Sequence, residues 1–186
     1  MRLLPKIGLL LLLSLPGWAA DWPMFRGPSG DGSTHDEGAV DGDGKLGPLA
    51  WQVELPGVGH SAPIIIGDQI FVTCPNAESE LVLLCLDRLT GVTRWERRLE
   101  FGNRSAPNGL NNMGTPSPAG NREIVVAVTG LGNVHAFKAD GKELWRHSLR
   151  EAGTPAFRWF YSSSPFLAGD MVVCQMSQRP DGEAYA

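Results

Sequence analysis

The stretch "LDRLTGVTRWE", residues 86–96, decides the fold. It sets an aspartate, a Thr-Gly pair and a tryptophan at fixed distances, in the order Asp87, Thr90, Gly91 and Trp95. Aspartate and Thr-Gly favour tight turns, and glycine relieves strain where φ is positive. The tryptophan on the next strand can cover apolar surface while its N–H finds an acceptor. The stretch therefore predicts a hairpin whose tryptophan fastens one sheet to another.

A second copy of this pattern lies downstream. "FKADGKELWRH", residues 137–147, again sets a glycine four positions before a tryptophan, at Gly141 and Trp145. This copy is one residue shorter, and Asp140 stands in the place of Thr90. Small residues with proline, an apolar stretch, a polar turn and a second apolar run precede each copy. The same opening recurs in "SSSPFLAGDMVVCQ", residues 162–175, so the chain contains repeats.

Each repeat reads as short strands bounded by Gly-Asp, Thr-Gly or Asp-Gly, with no apolar period of about 3.6 residues after the first 20. The first repeat predicts strands at 62–66, 69–74, 81–87 and 93–99. The second predicts strands at 115–118, 123–130, 133–139 and 143–149. Four strands in a repeat of about 40 to 50 residues are typical of a β-propeller blade.

The sequence resembles the PQQ-like β-propeller repeat family, which includes quinoprotein alcohol dehydrogenases and outer-membrane assembly scaffolds. The tryptophan-docking motif of that family runs Ala-x-Asp-x-x-Thr-Gly-Lys-Glu-x-Trp. The first copy has Cys85 for the alanine and Val92-Thr93 for Lys-Glu, and the lead-in "DWPMFRGPSGDG", residues 21–32, also resembles exported members. The resemblance implies a structural docking role for Asp87, Thr90, Gly91, Trp95, Ala136, Gly141 and Trp145.

These patterns predict an all-β, incomplete β-propeller of about two and a half to three four-stranded antiparallel blades. We expect a signal peptide at 1–19, an N-terminal segment at 20–50 and PQQ-like blades at 51–186, with repeats at about 51–100, 112–150 and 160–186. A closed propeller of the family needs about seven or eight blades, so the resemblance implies an N-terminal fragment of a longer protein or the product of a truncated gene. An open arc leaves a bare edge, which predicts a marginal, oligomeric or aggregation-prone chain.

The N-terminus has the form of a secretory signal. Arg2 and Lys6 precede an apolar run at 7–15, and Gly17 and Ala19 are the small residues of a cleavage site after Ala19. The prediction is a periplasmic or secreted protein with no transmembrane segment after cleavage. Removing the two basic residues leaves 14 basic and 20 acidic side chains, a net charge of −6. This balance does not favour nucleic-acid binding, which needs a basic face.

Candidate reactive groups are few. Cys74, Cys85 and Cys174 lie in apolar runs, so buried free thiols are favoured, and the odd count leaves their pairing open. The four histidines lack metal-pair spacing. "DGDGK", residues 41–45, fails as a calcium loop because lysine takes its fifth position. No catalytic residue and no metal ligand is predicted.

Three functions remain open, and one of them is a sensory or adhesive domain of a larger exported protein. The leading hypothesis is an exported, non-catalytic scaffold that binds other proteins, a ligand, or the remaining blades of the same propeller. The alternative is the N-terminal part of a PQQ-dependent alcohol or sugar dehydrogenase, with PQQ and calcium as cofactors and its catalytic residues in further blades. The resemblance implies an adjacent-cysteine disulfide in such enzymes, and this sequence has none. Long inter-blade loops supply the candidate ligand contacts Arg104, Asn111, Asn112, Arg158 and Trp159.

Overall fold

A computed structural model describes residues 20–36, 42–100, 111–150 and 160–176. Within these residues the chain forms ten β-strands in three antiparallel sheets and contains no helix. The predicted all-β architecture of four-stranded antiparallel blades is confirmed. The predicted signal peptide at 1–19 lies outside the described residues. In the described part of the chain, no helix is long and apolar enough to cross a membrane.

The first sheet is a meander in which each strand pairs with the next along the chain. Gly67, with a φ of +56°, lies in the turn between its first two strands. Such a φ favours glycine. The strands are β1 (Ile64–Ile66), β2 (Gln69–Pro75), β3 (Leu81–Asp87) and β4 (Thr93–Glu100).

The second sheet repeats this meander, and the third begins it. The four strands of the second sheet are β5 (Ala119–Gly120), β6 (Ile124–Val128), β7 (Asn133–Lys138) and β8 (Glu143–Ser148). Among the described residues the third sheet has two strands, β9 (Phe166–Ala168) and β10 (Met171–Val173).

One predicted strand is wrong. The second repeat was expected to open with a strand at 115–118, but β5 lies at Ala119–Gly120. Pro116 and Pro118 have no backbone N–H to donate to a ladder, so the strand begins only after them.

The sheets pack face to face, and alternate residues of each strand point to opposite neighbours. Side chains of the first and second sheets share one apolar core, which includes Phe71, Leu83 and Phe137. Between the second and third sheets, Val126 and Ala136 belong to a second core with partly buried hydrophobics of the third sheet. This stacking brings the turns of successive sheets side by side.

The N-terminal segment joins the free edge of β1. The backbone of Trp22 forms two hydrogen bonds with Ile65, of 2.8 and 2.9 Å. The next residue, Pro23, accepts a 2.8 Å hydrogen bond from the N–H of Gly120 in β5. Residues 22–23 therefore bridge the first strands of two sheets.

Candidate functional site

The turn between β3 and β4 is organised by the carboxylate of Asp87. Its Oδ1 accepts hydrogen bonds from the backbone N–H of Leu89 at 3.0 Å and from both the N–H and the hydroxyl of Thr90 at 2.9 Å. Gly91 follows with a φ of +73°, in the region that favours glycine. The aspartate and Thr-Gly of the motif thus build the turn itself.

Arg94 links the β3–β4 turn to the β1–β2 turn through two ion pairs. Its Nη2 lies 2.6 Å from a carboxylate oxygen of Asp87 and 2.6 Å from one of Asp68, which belongs to the β1–β2 turn. The hydrogen bond from Arg94, followed by that from Thr90, lowers the pKa of Asp87 to about 2. At neutral pH this carboxylate is therefore charged and fully engaged, which makes it a poor proton acceptor.

The corresponding turn between β7 and β8 is one residue shorter. Oδ1 of Asp140 accepts a 2.9 Å hydrogen bond from the N–H of Lys142. The N–H of Gly141 donates to the carbonyl of Lys138 at 2.9 Å, and Gly141 has a φ of +83°. The second glycine therefore has the same backbone conformation as Gly91.

Trp95 crosses from the first sheet to this second turn. Its indole N–H donates to the carbonyl oxygen of Ala139 at 3.0 Å. Its ring lies so close to Gly141 that a Cβ there would come within 2.8 Å of Cδ2. Phe71 and Phe137 flank the ring with centroid distances of 5.7 and 6.3 Å. The tryptophan thus fastens two sheets, and only glycine permits so close an approach.

Both tryptophans follow a β-bulge. Trp95 pairs with Cys85 and Trp145 pairs with Ala136, and in each sheet the register shifts directly after that pair. A bulge bends its strand and re-aims the adjacent side chain. The small residue of the motif, cysteine or alanine, is therefore the one that lies opposite the tryptophan.

A third tryptophan, outside the two copies of the motif, docks in the same way. The indole N–H of Trp51 donates to the carbonyl of Arg88 at 2.9 Å, and a Cβ at Gly91 would lie 2.6 Å from Cε3 of its ring. Two signals were available in the sequence. Gly47 stands four positions before this tryptophan and Leu55 four positions after it, as in the other copies.

Trp145 differs from these two. Its side chain is 39% exposed, and no hydrogen bond of its indole N–H is found in the described part of the chain. It holds the strand position of Trp95 without the contacts that Trp95 makes.

A second set of contacts joins the sheets near their first strands. The N–H of Ala62 donates to Oγ of Ser117 at 2.9 Å, and the N–H of Ser117 donates to Oγ of Ser164 at 3.0 Å. Each of these three residues directly precedes a proline in its repeat. The small residues that open each repeat thus form a hydrogen-bonded relay across three repeats.

The structure describes two of the five candidate ligand-contact residues. Asn112 is 5% exposed, and its Oδ1 accepts a 3.0 Å hydrogen bond from the N–H of Gly114, so it stabilises a local turn. Asn111 beside it is partly buried. The other three candidates, Arg104, Arg158 and Trp159, lie outside the described residues.

A comparison with protein families shows to which family the chain belongs. The family model described as outer membrane protein assembly factor BamB matches residues 80–186, more than half of the chain. The chain belongs to this PQQ-like repeat family. The match includes both predicted docking motifs, and the resemblance predicted from them is confirmed.

Three solved structures are similar to this chain, and the first of them has the same fold. BamB from Moraxella catarrhalis is 20% identical and has a TM-score of 0.53, with 72% of this chain and 38% of that chain covered. A europium-containing methanol dehydrogenase is 19% identical over 67% of this chain and 22% of that chain, with a TM-score of 0.48. A quinohemoprotein alcohol dehydrogenase from Pseudomonas putida is 16% identical over 67% and 18%, with a TM-score of 0.47. No curated protein matched the sequence.

His135 is an unusual buried group. It lies in β7, is 0% exposed and stacks at 4° on Phe137, and within the described ranges neither ring nitrogen has a hydrogen-bond partner. Burial, together with the positive charge of Arg146, lowers its pKa to about 4. His135 directly precedes Ala136, the residue that pairs with Trp145. The corresponding residue of the first sheet is Leu84, which directly precedes Cys85, the partner of Trp95. An apolar residue therefore occupies this repeat position in the first sheet.

The three thiols are free in the structure. Cys74 and Cys85 are buried, and burial raises the pKa of each to about 11. Cys174 is partly buried, and burial raises its pKa as well. Thiols with raised pKa values are mostly protonated at neutral pH, so these groups are poor nucleophiles.

Proposed function

We propose that this protein is an exported, non-catalytic scaffold that binds other proteins. The observation that supports this most directly is that the polar groups of the motif form hydrogen bonds within the chain. The indole N–H groups of Trp51 and Trp95 and the carboxylate of Asp87 all serve contacts within and between sheets. A rigid frame of this kind presents its loops and edges for binding. The family description, outer membrane protein assembly factor, is consistent with such a role.

The scaffold would act in the periplasm or outside the cell. This part of the proposal rests on the signal-like sequence at 1–19 and on the predicted cleavage after Ala19. Intact mass measurement of the exported protein should give a chain that begins at Ala20. A full-length mass in the exported fraction would contradict the predicted cleavage.

The dehydrogenase alternative would require a calcium-bound quinone. Calcium in such a site would need several oxygen ligands in one place. Within residues 20–36, 42–100, 111–150 and 160–176, no three His, Cys, Asp or Glu side chains come together to hold a metal ion.

The test adds PQQ and Ca²⁺ to the purified full chain. We expect no reduction of an electron-acceptor dye with alcohols or sugars, and no calcium-dependent change in the thermal midpoint. PQQ-dependent dye reduction would contradict the scaffold and would favour the dehydrogenase alternative.

A positive test places a photo-crosslinking residue at Leu89, which is 69% exposed, with the exposed Glu123 as control. A discrete protein adduct at Leu89 and not at Glu123 is expected, and equal labelling would contradict partner binding at this turn.

A further inference from the structure

The residue before Trp22 also joins the first two sheets. Oδ1 of Asp21 accepts a 2.8 Å hydrogen bond from the N–H of Gly67 in the β1–β2 turn. Oδ2 of the same carboxylate lies 3.8 Å from Nε of Arg122 in the β5–β6 turn. Together with the backbone contacts of the next two residues, this carboxylate makes residues 21–23 an N-terminal brace between the first and second sheets.

The two ends of the N-terminal segment, residues 20–36, lie together. The backbone N–H of Ala20 donates to Oδ2 of Asp36 at 2.8 Å. Between these ends, the ring of Trp22 lies so close to Gly27 that a Cβ there would come within 2.7 Å of Cη2. Asp36 therefore holds the residue that directly precedes the N-terminal brace, and the segment closes on itself.

The predicted signal cleavage falls on this hydrogen bond. Hydrolysis of the bond between residues 19 and 20 adds one water molecule, so Ala19 leaves with a new carboxylate and Ala20 keeps its nitrogen as an α-amine. An α-amine is mostly protonated at neutral pH. The neutral amide donor to Asp36 then becomes an ammonium, and hydrogen bonds between charged groups are stronger than those between neutral ones.

We propose that removal of the signal peptide completes the N-terminal brace. The new α-ammonium of Ala20 forms an ion pair with Asp36, which fixes residues 21–23 across the first strands of two sheets. This inference rests on the proposed export and adds a structural consequence to the cleavage. Ala20 and Asp36 are exposed, so the pair has the modest strength of a surface ion pair and acts on the end of the segment. Any residue retained before Ala20 removes the positive charge from its nitrogen.

The reactivity of the α-amine tests the ion pair. The chain is prepared to begin at Ala20 by removal of a fusion partner, so the test does not depend on cleavage in the cell. An amine-reactive acylating reagent at pH 7, followed by peptide mass spectrometry, should label Asp36→Asn about two- to threefold faster than the wild type. The difference should shrink in 1 M salt, which screens exposed charges. Glu54→Gln is the matched control, because it removes one exposed carboxylate elsewhere.

Limited proteolysis gives a second readout. Trypsin cleavage after the exposed Arg26 requires the segment to open, because Gly27 beyond the scissile bond lies against the Trp22 ring. A chain with one glycine added before Ala20 should be cut about two- to threefold faster than the wild type, and Asp36→Asn should behave alike.

Equal labelling of the wild type and Asp36→Asn would overturn the ion pair, whether or not the cell cleaves the chain. A glycine-extended chain that is cut no faster than the wild type would overturn the link between the free amine and the closed segment. A full-length mass in the exported fraction would contradict the cleavage itself, and this outcome is distinct from the other two. Circular dichroism of each variant establishes that its fold is retained.

Discussion

Replacing Trp95 with alanine is expected to lower the free energy of unfolding by about 3 kcal/mol. The indole packs on Gly141 and between two phenylalanine rings of the shared core, and its N–H donates to Ala139. Arg97 adds to the loss, because its guanidinium carbon lies 5.4 Å from the centre of this ring. The substitution therefore removes apolar burial and leaves a buried gap between two sheets.

Urea denaturation at low protein concentration measures this effect, and Trp145→Ala is the matched control. Trp145 occupies the same motif position but is 39% exposed, so its removal should cost less than about 1 kcal/mol. A loss below about 1 kcal/mol for Trp95→Ala would show that docking does not hold the sheets together. Equal losses for the two variants would also contradict the docking role.

His135→Leu should stabilise the protein by about 1 to 3 kcal/mol at neutral pH. Both ring nitrogens of His135 are buried without a partner among the residues that the structure describes, and the first sheet has Leu84 at this repeat position. Leucine removes the cost of the two unpaired nitrogens and retains apolar volume between the sheets. Denaturant unfolding at pH 7.5 gives the comparison, and a destabilised variant would contradict this explanation.

The same histidine should make the wild type sensitive to acid. Its pKa is about 4 in the folded chain, below the ordinary 6.5, so the unfolded chain binds a proton first as the pH falls. The contribution of neutral His135 to the free energy of unfolding is therefore fully present above about pH 6.5. It decreases by on the order of 3 kcal/mol as the pH falls towards 4.

Unfolding measured between pH 7.5 and pH 4.5 tests the sign of this effect. As the pH falls, the free energy of unfolding should decrease less for His135→Leu than for the wild type. His147→Gln should show the same decrease as the wild type, because His147 is exposed. Identical pH profiles for the wild type and His135→Leu would contradict the assignment to His135.

The sequence was sufficient for the four-stranded sheets, apart from the start of β5, and for the turn that precedes Trp95. The turn residues and the alternation around Trp95 are local features, so spacing alone predicted them. Trp51 was missed because Pro48 and a longer connection interrupt the motif before it.

Contacts between repeats were harder to predict. The sequence showed that each repeat opens with small residues and proline, but the hydrogen bond from Ala62 to Ser117 depends on how neighbouring sheets stack. The position of His135 within a strand was predictable, whereas its burial without a partner was not. That state follows from the face that β7 turns towards the first sheet, which only the assembled sheets determine.

A double-mutant cycle between Trp95 and Gly141 tests the docking of one sheet on the next most directly. Gly141→Ala should destabilise the wild type through its positive φ and through the contact between the new Cβ and the Trp95 ring. In the Trp95→Ala background only the φ cost remains, so the same substitution should cost less, by about 1 kcal/mol or more. Additive effects, equal within about 0.5 kcal/mol, would contradict a direct contact between the two residues.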